Sequence, residues 1–194
     1  MLPSYFVFLT LPVSIYYTLK YIQDTLSNKI QPNIVSWAVW ATASLLSFFV
    51  ALSTGIPFLE LFSTFISGLV PLIIVLVLIF VNKGKFIFSK LDIFCFGLAI
   101  LGLILWKILG PIYGYGFGLL ADMTGFVPTL VKTFKNPKSE TIPVYVMGMI
   151  SSVINILTLQ NFSLFTLGFP IYITSFNSLI VIMVLWDKYR VEKV

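Results

Sequence analysis

Asp122 is the residue whose type and position most invite chemistry. Of seven acids, Asp24, Glu60, Asp92, Glu140, Asp187 and Glu192 fall between apolar runs or at their ends, and Asp122 alone falls inside one. An ionised Asp at the centre of a bilayer costs about 2.5–3.5 kcal/mol on insertion scales, and such groups face a bundle interior, where they mark proton or solute paths. Two readings stand for Asp122: a carboxyl that couples to a proton or a solute, and an internal hydrogen-bond partner for a neighbouring helix. Asn155 and Asn177 lie near the middles of two later apolar runs, and Ser44 lies in an earlier one. They are candidates to line a solute cavity with Asp122, or to hydrogen-bond between helices at about 0.6 kcal/mol each. Trp40 is a candidate wall against solute, although Trp37 and Trp40 also suit an interfacial aromatic belt.

Other chemistries lack their residues. The chain has no histidine and one cysteine, Cys95, inside an apolar run. Zinc, haem and His-assisted nucleophiles are left without a ligand set or a base, and no cofactor is expected. There are no paired mid-run acids for acid–base work, so an enzyme is not expected. The glycines of "GPIYGYGFG" (110–118) follow no strand, so they read as close helix packing, or an outer gate at Tyr113 and Tyr115, rather than a phosphate loop.

The elements that must position these residues follow from composition. The chain is 59% hydrophobic and 10% charged, against about 25% charged in soluble domains. In lipid only helices and closed barrels satisfy the backbone, and long continuous apolar runs favour helices. Seven runs near the required ~20 residues fall at 4–22, 33–53, 57–81, 91–109, 112–132, 142–160 and 163–186. With the N-terminus outside, the inside loops hold Lys20, Lys29, Lys83, Lys85, Lys90, Lys132, Lys135, Lys138, Lys188, Arg190 and Lys193, leaving Lys107 outside. That asymmetry predicts an integral protein of the cell or inner membrane with a cytoplasmic C-terminus. It also accounts for the net charge of +5 without nucleic acid. No cleavable signal is expected, because the first basic residue is Lys20.

A duplication sits inside this layout. "YTLKYIQDTLSNKIQPNIVSW" (17–37) aligns with "PTLVKTFKNPKSETIPVYVMG" (128–148) at a constant offset (129 − 18 = 111), matching Thr18-Leu19 to Thr129-Leu130, Pro32 to Pro143 and Ser44 to Asn155. Each copy leaves an apolar run, crosses a basic loop and returns through a proline. Pro32 and Pro143 are expected at the first turns of helices, where a missing N–H is harmless. Pro128 is expected to kink its helix, and Tyr17 holds its place in the first copy. Three spans per copy with both loops inside require one extra span between them. The prediction is an all-α membrane protein of seven transmembrane helices, 3+1+3, with two parallel three-helix repeats. The divisions are 1–82, a linker helix over 83–110, 111–187, and a cytoplasmic tail over 188–194.

The second copy, with Pro128, Lys132, Lys138, Ser139 and Pro143, resembles the PQ-loop motif of SWEET-type transporters, and the 3+1+3 layout resembles theirs over nearly the whole chain. Thr129 stands where that motif has glutamine, and Tyr17-Thr18 where it has Pro-Gln. The resemblance implies a small-solute transporter working by alternating access, for a sugar, an amino acid or a small organic acid. Tyr17, Pro32, Pro128 and Pro143 would be hinge or gate positions, and Asn177 one of two pocket asparagines. Asp122 adds proton coupling. Expected partners are a small solute and the lipid bilayer, with a homo-oligomer left open. The alternative is a non-transporting receptor or assembly factor on the same scaffold.

Overall fold

A computed structural model of the chain describes residues 2–30, 32–81 and 90–191, with backbone alone at 91, 92, 95, 96, 99 and 187–191. Cys95, Asp92, Lys83, Lys85, Asp187, Lys188, Arg190, Glu192, Lys193 and the boundary at 82/83 therefore lie outside what it describes at side-chain level. The fold is all-helical. The helices among the described residues are α1 (Thr10–Leu26), α2 (Ile34–Leu52), α3 (Phe62–Val81), α4 (Lys90–Leu109), α5 (Pro111–Lys135), α6 (Ile142–Thr158) and α7 (Leu164–Val191). Short 3₁₀ turns precede α1 (Ser4–Leu9), α3 (Phe58–Leu61) and α6 (Pro137–Ser139).

Local chemistry explains the breaks. Asn33 caps α2 by accepting a hydrogen bond from the Val35 N–H at 3.0 Å. Pro32 thus stands outside the helix rather than in its first turn: the cap residue comes between them, and an Asn side chain satisfies a donor that a proline ring cannot. Pro143 does occupy the first turn of α6. Gly110, at φ 103°, turns the chain sharply from α4 into α5, a backbone that costs a side chain dearly. Pro128 lies inside α5, as Pro71 and Pro170 lie inside α3 and α7. The stretch 23–26, expected in a loop, continues α1.

Among the described residues, three helices are long and apolar enough to cross a membrane: Ile34–Leu52, Phe58–Val81 and Leu164–Trp186. The helices α1 and α6 have 17 residues each. A polar stripe of Thr10, Ser14 and Thr18 on α1 is buried against the rest of the protein. The outside is apolar: Leu19, Phe49, Phe80, Ile104, Val153 and Ile182 are all exposed.

Packing orders the helices. α3 touches both α1 and α2, and α7 touches both α5 and α6. Two seams join these groups, α2 on α5 and α1 on α6. α4 packs on α5 and the flank of α2.

Candidate functional site

The α2–α5 seam is close because small residues line it. A Cβ on Gly125 would meet Val39 Cγ1 at 2.9 Å, and one on Gly118 would collide with the Ser47 hydroxyl. This contact carries Asp122 against α2. Asp122 has no exposed surface. Its Oδ1 accepts from the Ser44 hydroxyl at 2.9 Å and its Oδ2 accepts from the Tyr172 hydroxyl at 2.6 Å. The carboxyl therefore ties α2, α5 and α7 together, and among the described residues no lysine or arginine pairs with it.

One side of this group opens on a cavity between α2, α3, α5, α6 and α7. Its volume is about 70 Å³. Trp37, Trp40 and Phe126 form its aromatic wall, and Ser44, Asp122 and Asn177 its polar one. Trp40 lies 4.3 Å from Phe126 and 4.9 Å from Trp37, ring centre to ring centre. The rings continue at 5.0 Å from Trp37 to Tyr21 and at 5.8 Å from Phe126 to Tyr172, so an aromatic file runs through the protein past the cavity. Asn177 presses on α6 where Gly148 has no side chain.

The expected residues thus separate. Asp122, Ser44, Trp40 and Asn177 share one cavity. Asn155 does not line it. It is fully buried one turn beyond Ser151, which does, and neither of its amide atoms has a hydrogen-bond partner among the described residues. Trp37 and Trp40 are each 5% exposed, so an interfacial belt is not their place. Tyr17 is half-buried beside Tyr16, away from the cavity wall. Pro128, Pro32 and Pro143 also stand off the wall. Tyr115 is buried, donates to the Phe165 carbonyl at 3.1 Å and accepts from the Phe169 N–H at 3.3 Å, whereas Tyr113 is exposed.

The sequence hid other groups. Glu140, expected at a loop, is buried at the start of α6. It pairs with Lys132 and accepts from the Tyr21 hydroxyl at 3.2 Å, and that hydroxyl in turn accepts from Trp37 Nε1 at 3.2 Å. Lys132 thus holds a buried acid. Glu60 is likewise buried, with Asn161 donating to it at 3.0 Å. Asp24 is buried and pairs with Lys29 at 3.5 Å. Tyr172 and Phe126 carried no signal in the sequence, since an aromatic in an apolar run declares no partner.

No protein-family model, no curated protein and no solved structure matches this chain.

Proposed function

We propose that the chain crosses a membrane seven times as two parallel three-helix repeats joined by α4, and that it moves a small solute by alternating access with Asp122 exchanging a proton. The single observation that carries the proposal is a fully buried carboxyl on a cavity wall between the two helix groups. A buried acid without a basic partner is stable when a proton or a ligand neutralises it. Among the described residues, the titratable group bonded to it is the Tyr172 hydroxyl of α7. α2 presents Ser44 and Trp40, α6 presents Tyr145 to the same cavity, and the described charges of α4, Lys90 and Lys107, lie at its two ends.

Symmetry of contacts supports the repeat. In each group the third helix stands beside both others, and the α2–α5 seam is the counterpart of the α6–α1 seam. The offset predicted by the loops reappears in side-chain bonds across both seams. Thr129 donates to the Ser36 hydroxyl at 3.2 Å, and Thr18 donates to the Met147 sulfur at 3.9 Å. Those four residues pair off at the same offset, Thr18 with Thr129 and Ser36 with Met147 (147 − 36 = 111). The Tyr21–Glu140 bond brings the end of α1 to the start of α6, as two loops on one face of the bilayer require. The likeness to PQ-loop transporters agrees with this arrangement.

Rocking would open and close the seams, and the Tyr21–Glu140–Lys132 cluster would shut the inner end. The test is flux in proteoliposomes across sugars, amino acids and small organic acids under a pH gradient. The expected result is flux that the gradient drives and that Asp122→Asn removes. Binding from one face with no flux would favour the receptor alternative.

A further inference from the structure

We infer that the Asp122 cavity selects a small organic monocation, an amine carrying a hydroxyl or similar hydrogen-bond acceptor, over neutral and anionic solutes of the same size. The inference rests on the cavity being the solute site and deepens that reading. The charge lining is one-sided: Asp122 is present, and among the described residues no lysine or arginine lines the space. In a low-dielectric interior an anionic solute facing that carboxylate is repelled, whereas an ammonium neutralises it.

The aromatic wall favours the same charge. Trp37, Trp40 and Phe126 surround the space, and indole and phenyl faces attract cations within about 6 Å, most strongly when water is excluded. The wall also holds unused polar atoms. Trp40 Nε1 and Ser151 Oγ are on buried lining residues, at 5% and 6% exposure, and neither has a hydrogen-bond partner among the described residues. Trp40 Nε1 sits against Gly125, so the Ser151 hydroxyl, which can donate or accept, is the group left for the ligand, and a hydroxyl on the amine meets that need.

Size narrows the class. An apolar cavity of ~150 Å³ admits benzene, and this one holds about 70 Å³. A molecule of a few heavy atoms fits as the helices stand. Bound in place of the proton, the ammonium would take the neutralising role at Asp122, so proton and amine compete for one carboxylate.

The test uses the full chain in lipid nanodiscs and three probes of nearly equal size: ethanolamine, a cation at neutral pH, 1-propanol, its neutral counterpart, and glycolate, an anion. Trp37 and Trp40 report occupancy by fluorescence once Trp106→Phe and Trp186→Phe remove the reporters outside the cavity. The expected result is saturable ethanolamine binding at least about tenfold tighter than either other probe, weakening as pH falls and lost in Asp122→Asn. Equal binding of ethanolamine and 1-propanol, or tighter glycolate binding, would overturn the inference in the parent protein alone, whatever the variant does to folding. Flux is read separately. Ethanolamine binding with no flux of any solute would remove the transport reading and leave the cation site, whereas flux of neutral solutes without cation binding would do the reverse.

Discussion

The two seams of the molecule, which the proposed duplication makes counterparts, are finished differently. At α2–α5 the acid finds its partners: Ser44 on α2 and Tyr172 on α7 satisfy both oxygens of Asp122, and Thr129 bonds Ser36, while Ser47 and Trp40 Nε1 in the same seam are buried without a partner among the described residues. Across α1–α6, Thr18 bonds Met147 and Tyr21 bonds Glu140, but the positions matched to the Asp122–Ser44 pair are left open. At the offset, Asn155 is the counterpart of Ser44 and Leu11 stands where Asp122 does in the second copy (122 − 11 = 111), and the Asn155 amide has no partner among the described residues. Ser14 on α1 and Ser152 on α6 are buried and unpartnered as well. Each such group forfeits about 1–3 kcal/mol. The comparison teaches that a mid-seam carboxyl ties α2 to α5 and that α1–α6 lacks one, so the proposed rocking is expected to part α1–α6 first.

Substitutions at matched positions can break this contrast, beginning with the largest effect. Asp122→Asn keeps the shape of the α2–α5 seam and removes the charge. Proton-driven uptake should fall at least about a hundredfold, in line with the functional weight of ionisable groups inside membranes, while thermal unfolding in detergent shows the fold retained. Gly125→Ala and Ser14→Ala come next, since the two positions correspond (125 − 14 = 111). The new methyl on Gly125 would crowd Val39 Cγ1 at 2.9 Å and should destabilise by about 1–3 kcal/mol. Ser14→Ala removes an unpartnered hydroxyl and should be neutral or slightly stabilising. If both lower the melting temperature alike, the seams are equivalent and the contrast fails.

Ser44→Ala and Asn155→Leu sharpen the same point with a smaller effect. The first leaves Oδ1 of Asp122 short of a donor and should cost about 1–2 kcal/mol. The second replaces an unpartnered amide by an apolar group and should raise the melting temperature while slowing any flux that needs α1 and α6 to separate. Thr129→Val and Thr18→Val are the smallest pair, about 0.6 kcal/mol or less each, with the Thr18 bond to sulfur the weaker. Double-mutant cycles with Ser36→Ala and Met147→Leu would measure each link separately.

Much of the scaffold was legible before any coordinates. Apolar runs bounded by Gly, Pro, Asn and charge fell within a few residues of the helices, because those residues punctuate a backbone for local reasons. Asp122 stood out because an acid in the middle of an apolar run needs a partner. The rest depended on tertiary neighbours that no run declares. Glu140 looked like a loop charge until Lys132 and Tyr21 closed over it. Tyr172 has no feature that links it to α5. Asn155 was a candidate for the cavity because it lies near the middle of its apolar run and matches Ser44, yet its position one turn beyond Ser151 is enough to leave it outside. Pro32 was placed in a helix that Asn33 caps.

The parallel arrangement of the two repeats is the claim on which the seams, the cavity and the rocking motion all depend. Single cysteines at Ser27 and Lys138, both exposed in the short connections before α2 and α6, can be placed in a Cys95→Ser background and labelled in sealed, oriented vesicles with a reagent that does not cross the bilayer. The account predicts that both positions label from the same face, the one that also carries the C-terminus. Labelling from opposite faces would mean that the helices of the second group run the other way, and the duplicated architecture proposed here would be wrong.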